Sequence, residues 1–184
     1  MNTPAHMALS LATLGHHRRP GDWWLLSAGA ILPDLFLFAA YGLPGRDGDT
    51  MALLIDVFNS VPVYLAGLAA SLVLGARGPA LLAGSALLHV GFDLPLHAGD
   101  AHVHFWPLTD AVFVSPVSFW DVAHFGRIAG TLEGLLFVAC LVVIWRRLDG
   151  AVQRMACAGF ALVYGAAFVH FVGHAFAGEH WALW

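Results

Sequence analysis

The chain contains no lysine, and its eight basic residues are all arginine. Charged residues of either sign make up 11% of the 184, where a soluble domain carries about a quarter. That shortage excludes an ordinary water-facing surface. No nucleic-acid partner is expected either. Cysteine is scarce: Cys140 and Cys157 lie in apolar runs without Cys-x-x-Cys spacing. They read as buried fillers rather than as a disulfide or a thiolate metal pair. The start of the chain lacks a basic n-region and a cleavage site, so no removable signal peptide is expected. There is no internal repeat and no low-complexity tract.

What is present is apolar. Hydrophobic residues make up 59% of the chain, and mean hydropathy is +0.75. The expected fold is all-α: a polytopic membrane helix bundle forming one domain over residues 1–184. It has about five transmembrane helices and a short N-terminal re-entrant helix over 3–15. In that first helix Thr3 is the expected N-cap and Pro4 the first position. The spans read as 23–41, 51–74 (bent at Pro62), 80–97, 128–145 and 155–177. Residues 98–127, rich in His, Asp, Trp and Pro, form the one long connection. They read as an outward-facing loop or lid.

Arginine placement orients the bundle. Arg18 and Arg19, Arg77, and the group Arg146, Arg147 and Arg154 fall on one side of a five-span chain. By the positive-inside rule that side is cytoplasmic. Arg46 and Arg127 fall on the other. Depth then follows by counting. His6 lies 12 residues before Arg18, and Asp34 lies 15 after Arg19. His89 and Asp93 lie 12 and 16 after Arg77, Glu133 lies 13 before Arg146, and His170 lies 16 after Arg154. At about 1.5 Å per residue these groups share a layer roughly 18–24 Å from the basic edge. Ionisable groups at such depth are costly unless paired, hydrated or metal-bound.

His89, Asp93 and His97 stand at four-residue steps, one helix face. A carboxylate between two imidazoles suits a divalent metal, zinc above all. With His6 and Asp34 from the same layer, His89 and Asp93 form the candidate ligand set. The alternative is that each histidine bonds a neighbouring helix and Asp34 caps a kink at Pro33. His97 is a further ligand, a general acid/base at the site mouth, or an interfacial histidine. His102 and His104 point one way if their stretch is extended. They either close the site from the loop or are solvated. Asp121 and His124 either hold a second metal or a water, or Asp121 caps a short helix. Glu133, isolated in an apolar span, is a candidate general base or a structural partner of His170 or Arg127. His170 and His174, one turn apart, read as packing residues rather than haem ligands.

Three short motifs carry a resemblance: Pro4-Ala5-His6, Gly29-Ala30-Ile31-Leu32-Pro33-Asp34, and His89-x-x-x-Asp93. Together they resemble bacterial inner-membrane metal-dependent hydrolases. That group includes the LexA-regulated inner-membrane family and is distantly similar to zinc-dependent phospholipase C. The likeness covers the first two-thirds of the chain and implies a metal site on His6, Asp34, His89 and Asp93. One departure stands out. The family carries a His-Arg…Thr-His-Ser stretch between the second and third motifs, whereas residues 41–80 here hold no histidine. Either His97, His102 and His104 replace it, or catalysis is lost. The expected function is hydrolysis of a lipid or other membrane-borne (phospho)ester in the bacterial inner membrane, from a site facing the periplasmic side. A metal or proton carrier using the same polar layer and a non-catalytic scaffold are the alternatives.

Overall fold

The computed structural model describes residues 1–16, 19–42 and 48–179. Arg18 and Arg46, on which the orientation partly rests, lie outside them, as does the chain end beyond Glu179. The described residues form eight α-helices in order: α1 (Thr3–Leu14), α2 (Pro20–Ile31), α3 (Leu35–Gly42), α4 (Asp49–Phe58), α5 (Val61–Val73), α6 (Arg77–Asp93), α7 (Gly126–Trp145) and α8 (Ala151–Val172). Short 3-10 turns cover Leu94–Leu96 and Val122–His124, and a π turn at Gly173–Ala177 ends α8. The described residues contain no strand, only an isolated antiparallel bridge between Val103 and Val112.

The short first helix is the centre of the bundle. Ala5, His6, Ala8, Leu9, Ser10, Leu11 and Ala12 are all buried, and α1 packs against α2, α6, α7 and α8. A helix that is apolar on nearly every side must be enclosed, and the alanines let its neighbours approach. Its ends are held from other helices. At the start, Glu133 of α7 accepts from Asn2 Nδ2 at 2.8 Å and from the Asn2 backbone N at 3.3 Å. At the finish, Arg147 Nη1 donates to the carbonyls of Leu11 and Ala12 at 3.2 and 2.8 Å. Anion at the N-terminus and cation at the C-terminus both suit the helix dipole. Asn2, not Thr3, occupies the N-cap position.

Among the described residues three helices are long and apolar enough to cross a membrane: Arg77–Leu96, Gly126–Trp145 and Ala151–Ala177. A fourth is counted if α4 and α5, bent by 53°, make one span. The five spans read from the sequence therefore reduce to three or four by this measure. Two local causes account for the difference. The first expected span breaks at residues 32–34, because Pro33 has no N–H to continue the ladder. The second breaks at Asn59 and Ser60 rather than at Pro62. Ser60 caps α5, accepting from Val63 N at 3.2 Å, and Pro62 sits harmlessly in the first turn. On the outer surface Leu65, Leu72, Ile128, Leu132, Leu135, Val138, Leu162 and Val163 are exposed. Such a surface is compatible with a membrane and poorly suited to water.

Candidate metal centre

The centre is assembled where the α2–α3 break meets α6. Asp34 N bonds back to Ile31 O at 3.1 Å, which leaves the Ala30 carbonyl without its helical donor. His89 Nδ1 donates to that carbonyl at 2.6 Å. The contact is possible because α2 and α6 nearly touch: a Cβ on Gly29 would lie 2.4 Å from Leu82 O. Ser85, one turn before His89, secures the same crossing by donating to Leu26 O at 2.6 Å. With Nδ1 donating to that carbonyl, His89 turns Nε2 inward.

That nitrogen faces two carboxylates. It lies 3.3 Å from Asp93 Oδ2 and 3.5 Å from Asp34 Oδ1, yet with neither does it make a well-formed hydrogen bond. His6, from the first turns of α1, stacks on His89 with ring centroids 3.6 Å apart and reaches Asp93 Oδ1 at 2.9 Å. Thr3 donates to Asp34 Oδ2 at 2.6 Å. The Met1 nitrogen also reaches Asp93 Oδ1, at 2.5 Å. His6 and His89 are each 1% exposed and Asp93 5%. Donor atoms of His6, His89 and Asp93 all lie within 4.8 Å of one another, so this group could hold a metal ion. Asp34 touches it through His89.

His97 leaves the expected helical register. Helix α6 stops at Asp93, Pro95 tightens the next turn to 3-10, and His97 is extended at φ −113°, ψ 113°. Its ring nevertheless returns to the group, with Nε2 3.2 Å from Asp93 Oδ2 and Nδ1 2.7 Å from Asp100 Oδ2. Extension also turns His102 and His104 to one side, as their spacing predicts. Their rings stack at 4.4 Å, and the His97 and His102 rings meet edge-on at 5.6 Å. Burial, reinforced by the neighbouring His102, pushes His104 down to about 4, which keeps it neutral. The loop folds back on the bundle: Val61 N donates to His104 O, Ser115 N to His97 O, and Phe119 N to Leu96 O.

The remaining candidates lie apart from this group. Glu133 is bonded to Asn2 and, at 3.1 Å, to the Tyr164 hydroxyl. Asp121 caps the Val122–His124 turn by accepting from Ala123 N at 2.8 Å, and it pairs with His124 Nδ1 at 2.7 Å. His124, and then the Ala123 N–H, hold the Asp121 carboxyl below the usual range. Trp120 stacks between His170 and His174. Comparison with family models, curated proteins and solved structures finds no match. Sequence reasoning missed Thr3, the Ala30 carbonyl and Asp100. Asp100 alone left a signal, as an acid three residues after His97.

Proposed function

We propose that this chain is a membrane-embedded, metal-dependent hydrolase acting on a lipid or another membrane-borne ester, a phosphoester foremost. One observation carries the reading. Two imidazoles and two carboxylates from three separate segments meet in an apolar bundle, with facing donor atoms 2.9–3.5 Å apart. Four ligands at about 2.0–2.1 Å from a tetrahedral zinc ion stand about 3.3–3.4 Å from one another. The donor set fits chemically too. Neutral imidazole and carboxylate suit zinc, and two acids offset its charge. Among the described residues no arginine pairs with Asp34 or Asp93; the cation at Asp93 is the Met1 amino group.

A divalent ion bound there supplies Lewis acidity to a water and counter-charge to a developing anion. The chain's own residues do the positioning. Ala30 O fixes the His89 ring and Thr3 fixes Asp34. Glu133 anchors the start of α1 and so places His6, which makes it a positioning residue beside its reading as a base. The loop that carries His97 covers the end of α6 and is where substrate choice is made. With α2–α3 counted as a broken fifth span, the arginine edge is cytoplasmic. The site then opens toward the periplasmic side of a bacterial inner membrane.

Elemental analysis of the chain purified in detergent tests this. At least one zinc per chain is expected, lost in His89→Ala together with hydrolysis of a phospholipid or chromogenic phosphoester. A wild-type protein that binds no metal after zinc loading overturns the reading.

A further inference from the structure

Three histidines outside that ligand set share one unusual state. His97 Nδ1 is bonded to Asp100 Oδ2 at 2.7 Å, His102 Nδ1 lies 3.3 Å from Asp100 O, and His104 Nδ1 lies 2.9 Å from His102 O. The carbonyl acceptors hold the ring protons of His102 and His104 on Nδ1, so their Nε2 atoms present lone pairs, while His97 Nε2 faces Asp93 Oδ2 at 3.2 Å. All three Nε2 atoms are buried and make no hydrogen bond. His104 is 1% exposed and His97 9%. Buried polar atoms are normally satisfied, and imidazole lone pairs grouped together cannot satisfy one another.

We infer that His97, His102 and His104 form a second metal site, for a zinc-class divalent cation, joined to the first through Asp93. Three neutral imidazoles with one carboxylate are a donor set that such an ion prefers over magnesium or calcium. The carboxylate is already placed: Asp93 Oδ2 is 3.3 Å from His89 Nε2 and 3.2 Å from His97 Nε2. Asp100 supplies the orienting acid behind His97, as outer carboxylates do for histidine ligands. The outer nitrogens do not all stand within 4.8 Å of one another. The trio within 4.8 Å among the described residues is the inner one. Closure falls to His102 and His104, whose side chains stand on a loop rather than on a packed helix. The outer site extends the hydrolase reading by sharing Asp93, but its remaining ligands are its own.

The full chain, purified in detergent and stripped with a chelator, is loaded with Zn2+ or Co2+ and assayed for metal per chain and cobalt absorption. Two ions per wild-type chain are expected. His104→Gln and His102→Ala should each leave one, and His89→Ala should lose the inner ion alone. Asp100→Ala should weaken the outer ion roughly 10–100-fold. His102 is only partly buried, so its variant keeps the test open if His104→Gln fails to fold. One ion in the wild type and in both loop variants overturns the outer site and leaves the hydrolase reading standing. One ion lost in the loop variants but retained in His89→Ala upholds the outer site and overturns the inner. No ion in the wild type overturns both.

Discussion

Asp93 and Asp121 look alike in the sequence: each has a histidine three or four residues away. The structure treats them oppositely. Asp93 is 5% exposed and meets His6, His89 and His97 from three directions. Asp121 is half-exposed, and its contacts are local, to Ala123 N and His124. The first group is completed by packing, because His6 arrives on α1 and Asp34 from the α2–α3 break. The second is made by one turn of chain and has the character of a cap. A histidine–aspartate spacing thus marks a site only when other segments bring their own ligands to it.

Asp93→Ala is the harshest test of that contrast. It leaves three buried imidazoles without their shared acid, and breaking a buried pair costs about 3–5 kcal/mol. Metal content should fall to zero, and thermal or denaturant unfolding should show the loss. Asp121→Ala should cost far less, the loss of one local cap, with metal content unchanged. Equal effects from the two would erase the distinction.

Gly29→Leu comes next. A side chain there pushes α2 from α6, at about 1–3 kcal/mol for overpacking, and withdraws Ala30 O from His89. Zinc affinity should fall although no ligand is altered, as competition with a chelator would show. Unchanged affinity would mean that the carbonyl does not orient His89. Glu133→Gln is milder. It removes a charge from the α1 N-terminus while keeping an acceptor, about 0.3–1 kcal/mol, and metal stoichiometry should hold. Loss of metal would move Glu133 into the site.

The smallest effect concerns Asp121 itself. Its carboxyl is lowered in the folded chain by His124 first, then by Ala123 N–H, with His174 adding a little. Its contribution is therefore present above the ordinary value of about 3.9 and is lost as pH falls through the lowered one. In His124→Ala, side-chain NMR should find Asp121 titrating closer to the ordinary value. An unmoved titration would show that the pair is not formed.

Some of this was legible beforehand. Depth counting puts His6, Asp34, His89 and Asp93 in one layer; in the structure His6, His89 and Asp93 form a group that could hold a metal ion, and Asp34 lies 3.5 Å from His89 Nε2. The like orientation of His102 and His104 follows from alternation. The spans were less legible. Breaks at Pro33 and at Asn59–Ser60 depend on which carbonyls find other donors, and Asn59 Nδ2 reaching Pro33 O at 3.1 Å is a contact between separate helices. The enclosure of α1 was also hidden, since a 12-residue apolar helix reads equally as half-inserted or central.

The sequence by itself pointed to an apolar helical chain and counted His6, Asp34, His89, Asp93, Glu133 and His170 into one expected layer. Helical rise is constant, so depth is a count along one dimension. Only the tertiary structure decided which of those groups face one another. Rotation about a helix axis is set by packing: the bare Gly29 surface, the freed carbonyl of Ala30 and the stop of α6 at Asp93. Those contacts bring His6, His89 and His97 onto Asp93, with Asp34 beside His89, and leave Glu133, Asp121 and His124 to hold other parts of the fold.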